Sequence, residues 1–255
     1  MNDLITHNME LKRYDQIYKN EASYWWFKGR RKLLIDIFSK LPKKNSLKIL
    51  DIGCCTGYNL HTLEKFGEVY GADIEKKAVE YCKKRGFKKI SLLKNGLKLP
   101  FKKDFFDIVT CLDVIEHVEK DKKYLEELHR IIKPGGTLIL FVPAFNLLWS
   151  QLDVRSHHIR RYTKSSLGKI AKAAKFIISD VKYFNYLLFL PVLPIRLFQK
   201  IPFFKNNGLG ADLVVRSKLI NNILNLIFLI DVWSIKWLSP PVGISVLLIA
   251  KKGKR

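Results

Sequence analysis

Cysteine is scarce in this sequence, and its continuous apolar runs are short. The 255 residues include four cysteines, at positions 54, 55, 82 and 111, without CxxC spacing and without a histidine cluster beside them. This pattern argues against a zinc site and a disulfide framework, so we expect no metal and a reducing, cytoplasmic setting. We expect Cys82 and Cys111 to be small buried apolar residues. The acid-containing N-terminal stretch lacks the pattern of a secretory or transit peptide.

Acidic residues are also few beside basic ones. The chain has 46 Lys and Arg against 23 Asp and Glu, which gives a formal net charge of +23. Such a balance suits nucleic acid, an anionic membrane surface or an acidic substrate. The lysines are dispersed and no nucleic-acid-binding module is recognisable, so we place a peripheral membrane contact ahead of nucleic acid. An apolar fraction of 48% is ample for the core of one domain with additions.

The segment ILDIGCCTGYNL, residues 49–60, runs from an apolar strand through a glycine-bearing turn into a helical pattern. Gly53 and Gly57 let the backbone turn sharply and approach a ligand closely. A pyrophosphate-binding GxGxxG motif would need glycine at positions 53, 55 and 58, where the chain has Gly53, Cys55 and Tyr58. The turn therefore predicts a nucleotide-like ligand that is not bound through its phosphates.

Two acidic residues end the first two strands. Asp51 closes the first strand, and Asp73, 22 positions later, closes EVYGAD at the separation expected for a carboxylate that binds ribose hydroxyls. Two further segments follow in order, LPFKKDFFDIVTCLDVIEHV (residues 99–118) and IIKPGGTLIL (residues 131–140). With these motifs the chain resembles the class I S-adenosylmethionine-dependent methyltransferases of types 11 and 12. The resemblance implies S-adenosylmethionine as the cofactor.

Strand and helix patterns alternate from residue 47 to residue 141. They predict strands near 47–52, 68–73, 89–93, 105–111 and 136–142, with two more at 178–187 and 243–252. We expect an α/β, Rossmann-like class I methyltransferase fold, with a mostly parallel seven-stranded sheet and helices on both faces. The ligand crevice is expected at the carboxyl ends of strands one and four. The expected organisation is an N-terminal helical cap (1–45), a cofactor-binding domain (46–187 plus 243–255) and an apolar helical insertion between strands six and seven (188–242).

The insertion pairs two apolar stretches that are broken by proline, asparagine and charged residues. Neither stretch has the ~20 continuous apolar residues that a membrane-spanning helix needs. We expect a lid over a greasy acceptor or amphipathic helices on a membrane surface. Two ordinary helices that enlarge the core, or a dimer interface, are the alternatives.

The motifs and the resemblance together give an expected cofactor site. The segment YWWFKGRR, residues 24–31, is similar to one in bacterial and archaeal methyltransferases linked to envelope glycans and lipids. We expect Trp26 to cap the pocket and Arg30 to meet the methionyl carboxylate, the alternative being a helix that only packs on the sheet. Asn95 stands where the family more often has Asp, and its amide oxygen can still bind an adenine amino group. The full expected set is Trp26, Arg30, Asp51, Gly53, Cys54, Gly57, Asp73, Ile74, Asn95, Gly96 and Leu112.

Candidates for chemistry on the acceptor lie in two places. In related O-methyltransferases a Glu-His pair follows strand four near the methionine moiety, so the resemblance implies His117 for proton transfer or for shaping the pocket. A histidine packed at a helix start is the alternative. In the loop after strand five we expect His157 to share the proton transfer, and the acceptor to be recognised by His158, Arg160, Arg161 and Tyr162, with the arginines gripping an anionic group.

The expected function is methyl transfer from S-adenosylmethionine, by preference to an oxygen of a lipid-linked, glycan-related or other hydrophobic small-molecule acceptor. A quinone or isoprenoid methyltransferase is the first alternative. A non-catalytic, membrane-associated binding protein that keeps the Rossmann shell is the second. A nucleic-acid methyltransferase is the third, and it predicts steeply salt-dependent RNA binding. We expect a cytoplasmic protein, at most peripheral to the inner face of the membrane.

Overall fold

A computed structural model describes residues 11–42, 46–94, 97–200, 215 and 217–254. Its centre is a seven-stranded sheet in the order β3-β2-β1-β4-β5-β7-β6. The strands are β1 Lys48–Ile52, β2 Glu68–Asp73, β3 Ile90–Leu92, β4 Phe106–Leu112, β5 Ile132–Pro143, β6 Phe176–Phe184 and β7 Ser245–Lys252. Strands β1 to β5 pair in parallel, and β7 lies antiparallel between β5 and β6. The predicted Rossmann-like methyltransferase fold is confirmed.

Helices cover both faces of this sheet. The α-helices are α1 Leu11–Asn20, α2 Trp25–Phe38, α3 Tyr58–Leu63, α4 Lys76–Lys84, α5 Asp121–Ile131, α6 Gln151–Arg155, α7 Lys164–Ala173, α8 Phe189–Phe198 and α9 Lys218–Ser234. Two 3-10 helices, Ile115–His117 and Asn146–Leu148, follow β4 and β5. Helix α7 begins after Thr163, whose side chain accepts a hydrogen bond from the Ser166 N–H and caps the helix.

The ends of two strands differ from the sequence prediction. The fifth strand is predicted near 136–142, whereas β5 already begins at Ile132, which pairs with Phe106 before a register shift. β6 begins at Phe176 and ends at Phe184, because Asn185 adopts a left-handed conformation with φ 55°. The sequence pattern predicts the centre of each strand well, whereas local bulges and turns determine where the strand begins and ends.

The two faces of the sheet bury different helices. On one face Tyr124, Leu128 and Leu167 of α5 and α7 pack against the sheet. On the other face α2 and α9 form a layer, in which Leu34 and Phe228 are fully buried. Each layer removes large side chains from water, and a fully buried one contributes roughly 1.5–3 kcal/mol of transfer free energy.

The insertion after β6 therefore contributes a core helix. The Trp25 N–H of α2 donates to Asn221 Oδ1 of α9 at 2.9 Å, and a Cβ at Gly29 would overlap the Phe228 ring. The inner side of α9 matches the alternative of ordinary packing helices. Its outer side is apolar and exposed, with Trp233 63% exposed and Trp237, just past the helix, 79% exposed. Within the described residues, every helix is too short or too polar to cross a bilayer.

Candidate functional site

The carboxyl ends of β1, β2 and β4 bring several carboxylates to one rim. Asp51 and Asp73 are buried at the ends of β1 and β2, and the fully buried Glu116 lies in the 3-10 helix that follows β4. Asp113, just past β4, pairs with the buried Arg30 of α2 at 2.5 Å. This rim lies where strand order reverses between β1 and β4, as predicted for the ligand crevice.

The turn after β1 has the geometry that its glycines predict. Gly53 adopts φ +69°, and a Cβ there would overlap the Val114 side chain. Gly57 adopts φ +84° at the start of α3. Both conformations are strained for residues that carry a Cβ. The turn holds Asp73 as well, because the Cys55 N–H donates to Asp73 Oδ2 at 2.9 Å.

Asp73 is oriented by backbone donors. Its second oxygen accepts from the Glu75 N–H at 3.0 Å, and burial raises the pKa of this carboxyl to about 6 despite these hydrogen bonds. Each oxygen keeps a further lone pair, so a ligand hydroxyl can still donate to it. The buried phenol of Tyr14 lies close enough for the Asp73 charge to help burial raise its pKa, which places α1 beside this carboxylate.

Asp51 has one oxygen without a protein partner among the described residues. Oδ1 accepts from the Thr110 hydroxyl at 2.6 Å, whereas the buried Oδ2 has no hydrogen bond. Burial raises the pKa of Asp51 to about 7. A buried acceptor of this kind marks a place where a ligand donor is expected.

The Arg30 guanidinium lies near two aromatic rings. Its guanidinium is 5.3 Å from the Trp26 ring centroid and 5.2 Å from that of Phe141, at distances typical of cation–π contacts. In this structure its carboxylate partner is Asp113. Arg30 and Trp26 therefore occupy the rim side of α2, while the rest of that helix packs on the sheet.

The other predicted cofactor residues fall into three situations. Ile74 and Leu112 are half-buried at the ends of β2 and β4. The Cys54 thiol instead turns away from the rim, 3.6 Å from the Cys82 thiol in a small cluster with Leu60, so its side chain has a packing position. Cys82 and Cys111 are fully buried, as expected. Asn95 and Gly96 lie outside the described residues.

The predicted histidines meet beyond β4 and β5. The His117 Nδ1 lies 3.2 Å from the backbone oxygen of His157, and its ring meets that of His158 edge to face at 4.8 Å between centroids. Burial, aided by His158, lowers the pKa of His117 to about 4, so this ring is neutral near pH 7. Nδ1 then donates to the carbonyl and Nε2 keeps a lone pair. His157 adopts φ 56°, and its backbone carbonyl is what reaches His117.

A fully buried carboxylate, Asp153, organises the loop after β5. It accepts from Arg161 Nε and Nη2, each at 2.8 Å, and lies 2.8 Å from His158 Nδ1. Burial alone would raise its pKa, but the hydrogen bonds from His158 and Arg161 outweigh burial and hold the pKa well below its usual range. The Arg161 side chain is only 7% exposed and this pair engages it, so it is not placed to grip an acceptor as predicted.

Two neighbouring residues likewise hold the loop. The Tyr162 hydroxyl is within hydrogen-bond distance of the Ile115 carbonyl and of Asp121 Oδ2. Arg160 pairs with Asp121 at 2.8 Å. In this structure Tyr162 and Arg160 thus make contacts within the protein, not the predicted contacts to an acceptor. Of the predicted recognition residues, His158 has an Nε2 that faces the rim residue Glu116.

Helix α1 lies across the rim, within the segment predicted as an N-terminal cap. Asp15 pairs with Lys77 of α4 at 2.7 Å, and Arg13 donates to the Ser156 hydroxyl at 2.9 Å. Glu21, after α1, pairs with Arg85 and accepts from the Thr56 hydroxyl of the glycine turn. These contacts tie the described part of the N-terminal segment to both ends of the site.

Comparison with known proteins decides the family. Residues 50–140 match the family described as a methyltransferase domain. The mitochondrial ubiquinone biosynthesis O-methyltransferase of Schizosaccharomyces pombe is 25% identical over 210 residues, or 69% of this chain and 76% of that protein. The demethylmenaquinone methyltransferase of Bacillus velezensis is 30% identical over 138 residues, or 49% of this chain and 59% of that one.

Among solved structures, Haemonchus contortus phosphoethanolamine N-methyltransferase 2 in complex with S-adenosyl-L-methionine is similar in fold. Its TM-score is 0.60 at 19% identity, over 96% of this chain and 59% of that one. The match over residues 50–140 and the shared fold support the class I S-adenosylmethionine-dependent methyltransferase family that the motifs predict. The chain is therefore an enzyme, and the non-catalytic alternative is set aside.

The cofactor of this methyltransferase is S-adenosylmethionine, and its rim residues fit that molecule. Asp73 can accept from ribose hydroxyls, and the unpartnered Asp51 Oδ2 can accept from the amino group of the methionyl part. The turn at Gly53 keeps side-chain atoms away from the backbone at this point.

Several residues of the methyltransferase site were missed from the sequence. Asp153 fixes the His158 ring, Glu116 lies 3.9 Å from its Nε2, and Tyr14 lies close enough to Asp73 to feel its charge. Glu116 had a usable signal, since it directly precedes His117 in DVIEHV. Asp153 and Tyr14 had none, because their importance arises from contacts between segments distant in the chain.

Proposed function

We propose that the methyltransferase methylates an oxygen of a hydrophobic acceptor, with a lipid-linked, glycan-related hydroxyl compound as first choice. S-adenosylmethionine supplies an electrophilic methyl group for in-line displacement, so the chain must align the acceptor and exclude water. The observation that carries this proposal is the apolar surface of α8 beside the histidine-bearing loop. Leu190 is 74% exposed, and Ile195 and Leu197 are exposed on the same helix.

Helix α8 is held against the loop that follows β5. Lys200 donates to the Leu147 carbonyl at 2.8 Å, and the Phe145 and Phe189 rings meet at 5.8 Å between centroids. The charge of Arg161 helps burial to lower the pKa of Arg196, so the α8 side chain reaches towards the Asp153 cluster. A hydrophobic acceptor lying along α8 would have its polar end near these groups.

The acceptor hydroxyl must lose its proton as the new bond forms. The C–S bond of the cofactor breaks while the O–CH3 bond forms, and the proton leaves the oxygen. We place this oxygen beside His117 and His158. His117 is neutral near pH 7 with a lone pair on Nε2, which suits a group that faces an ionising hydroxyl. His157 contributes through its backbone carbonyl.

A quinone-type acceptor is the second candidate. It is favoured by the similarity to enzymes named for ubiquinone biosynthesis and for demethylmenaquinone methylation. Such acceptors combine a ring to be methylated with an apolar tail, and the exposed side chains of α8 suit that combination.

We also propose that the enzyme meets this acceptor at an anionic membrane surface. The exposed side of α9 and the turn after it carry Leu226, Ile230, Trp233 and Trp237. Tryptophan is favoured at membrane interfaces, and the net charge of +23 favours anionic lipid. Contiguous exposed apolar side chains of this kind mark interaction surfaces.

Methyl transfer to a lipid extract tests the proposal. We expect the wild-type enzyme to move the labelled methyl group of S-adenosylmethionine into the organic phase, and chromatography to separate glycan-linked from quinone products. The Asp73→Ala variant serves as the control with impaired cofactor binding. Label that enters only water-soluble small molecules, with cofactor binding intact, would contradict a hydrophobic acceptor.

A further inference from the structure

We propose that Glu116, His117 and His158 bind one divalent transition-metal cation of the zinc class. Each residue offers one ligand atom, and these atoms all lie within 4.8 Å of one another. His158 follows His117 by 41 positions, so two separate segments meet at this point. No sequence pattern indicates such a site, because metal motifs are recognised from ligands closely spaced along the chain.

The first observation is that the buried Glu116 carboxyl lacks a hydrogen-bond partner within the described part of the chain. Its side chain is fully buried, and among the described residues neither carboxyl oxygen has a hydrogen bond. The nearest basic group, His158 Nε2, lies 3.9 Å from Oε1, beyond hydrogen-bond distance. Buried polar groups without a partner are rare in native proteins, and an unseen ion is one of the ordinary explanations.

The orientation of the two imidazoles is the second observation. Nδ1 of His158 is fixed by Asp153 Oδ1 at 2.8 Å, and Nδ1 of His117 by the His157 carbonyl at 3.2 Å. Metal-binding histidines ordinarily donate their other ring N–H to a carboxylate or a backbone carbonyl, which fixes the tautomer and the ring. Both rings therefore have Nε2 left for a cation. A bound cation would occupy the His117 lone pair, so at an occupied site the cation, and not His117 as a base, would favour the ionised acceptor hydroxyl.

The donor set selects the kind of cation. Two imidazole nitrogens and one carboxylate oxygen suit zinc and its first-row neighbours, whereas magnesium prefers oxygen ligands and retains water. Zinc bonds of about 2.0–2.2 Å require ligand atoms roughly 3.3 Å apart, so the 3.9 Å gap between Glu116 and His158 must close by a side-chain adjustment. Three protein ligands leave a fourth position open.

The surrounding charges favour a cation overall. Asp153 lies against His158. Burial first, and the Asp113 charge next, raise the pKa of Glu116, while the charges of Arg30 and Arg161 act in the opposite direction. Each arginine is already paired, Arg30 with Asp113 and Arg161 with Asp153. His117 and His158 are half-buried, so the open position can be reached from outside.

Zinc titration of the metal-free full-length protein tests the inference. We expect calorimetry to give one equivalent of bound Zn2+ in the presence of S-adenosylhomocysteine, and Co2+ to give a visible absorption band at the same stoichiometry. His158→Ala should weaken binding at least about 100-fold, since second-shell changes alone cost 10- to 100-fold. His129→Ala, which changes a half-buried histidine packed on Phe176 of β6, should bind as the wild type does.

Glu116→Gln protects the test against misfolding. Glutamine keeps the size of a protonated glutamate, so the variant should bind S-adenosylhomocysteine normally and still lose most of its zinc affinity. The proposal is overturned if the wild type binds no stoichiometric Zn2+, or if both substitutions leave zinc affinity unchanged. Cofactor binding and methyl transfer are measured separately, so failure of the metal site is distinguishable from failure of the proposed acceptor.

Discussion

Asp73 illustrates how a single buried side chain can serve as a ligand group. Two backbone N–H groups fix its carboxylate, and burial holds its pKa at about 6, well above that of an exposed aspartate. Asp51 is similarly buried, with a pKa of about 7 and one oxygen without a protein partner among the described residues. A cationic ligand would therefore favour the ionised form of both carboxyls.

Replacing Asp73 should weaken cofactor binding. Asp73→Ala removes charge-assisted hydrogen bonds to ribose, which are worth about 1.5–3 kcal/mol, so we expect affinity to fall at least about 10-fold. Isothermal titration with S-adenosylhomocysteine measures this directly. Asp180→Ala removes an exposed aspartate of β6 that pairs with Lys182, and it should leave the affinity unchanged. Equal affinity in the Asp73 variant would remove the ribose role.

Cofactor affinity should rise with pH between about 5.5 and 8. Folded-state pKa values of about 6 for Asp73 and about 7 for Asp51 mean that both carboxyls are protonated below this range and ionised above it. The ionised forms accept ligand hydrogen bonds and attract the sulfonium, so binding is favoured at the higher pH. Titrations with S-adenosylmethionine across this range should show the rise, and Asp51→Asn should flatten its upper part. A pH-independent wild type would contradict this reading.

The local motifs predict Asp51, Gly53, Gly57 and Asp73 as cofactor-binding residues, and the structure has them at one rim of the sheet. A strand followed by a tight turn dictates where those residues lie, whatever packs around them. Cys54 was placed differently, because the direction of its thiol depends on Cys82, 28 positions away. The same holds for Arg161, whose guanidinium meets a carboxylate that spacing alone could not select.

The loop between β5 and α7 behaves as one unit built on Asp153. This carboxylate binds Arg161 through both oxygens, caps α6 through the Ser150 backbone N–H at 2.8 Å and fixes His158. The loop is long and polar. Its shape depends on this single buried contact set.

Breaking that contact set should destabilise the enzyme. Asp153→Ala leaves the buried Arg161 without its partner, and such a loss costs about 3–5 kcal/mol. Urea unfolding followed by circular dichroism should show this decrease in the free energy of unfolding. Asp180→Ala breaks an exposed pair with Lys182, 3.5 Å apart, and should cost less than about 1 kcal/mol. Equal effects of the two substitutions would mean that Asp153 does not organise the loop.

Helix α9 shows why the insertion could not be placed from sequence. Its apolar residues surround most of the helix, so periodicity did not separate the inner side with Phe228 and Val232 from the outer side with Leu226 and Trp233. Only the packing partner, α2, decides which side enters the core. The packing alternative describes the inner side of α9, and the lid or membrane-surface role of its outer side stays a prediction.

At the level of the whole protein, the proposed membrane contact would combine net charge with exposed apolar surface. A charge of +23 attracts anionic surfaces at long range, and the outer side of α9 can bury its tryptophans at short range. Neither alone gives stable attachment, whereas two weak signals combine well.

The outer side of α9 should therefore control binding to vesicles. We expect the enzyme to co-sediment with phosphatidylglycerol vesicles more than with phosphatidylcholine vesicles, and less as salt rises. The triple variant Ile230→Ser, Trp233→Ser and Trp237→Ser should weaken binding roughly 10-fold or more. Leu92→Ser and Ile177→Ser, at exposed positions of β3 and β6, serve as controls. Undiminished binding of the triple variant would assign the attraction to charge alone.

The packing of α2 against α9 also constrains how the chain can fold during its synthesis. Trp25 and Asn221 are 196 positions apart, and Gly29 must meet the Phe228 ring. At 5–20 residues per second, the apolar side of α2 leaves the ribosome roughly 10 to 40 seconds before α9 is made. Throughout that interval the apolar side of α2 has no α9 to cover it. The nascent chain therefore exposes the kind of surface that a ribosome-associated chaperone binds.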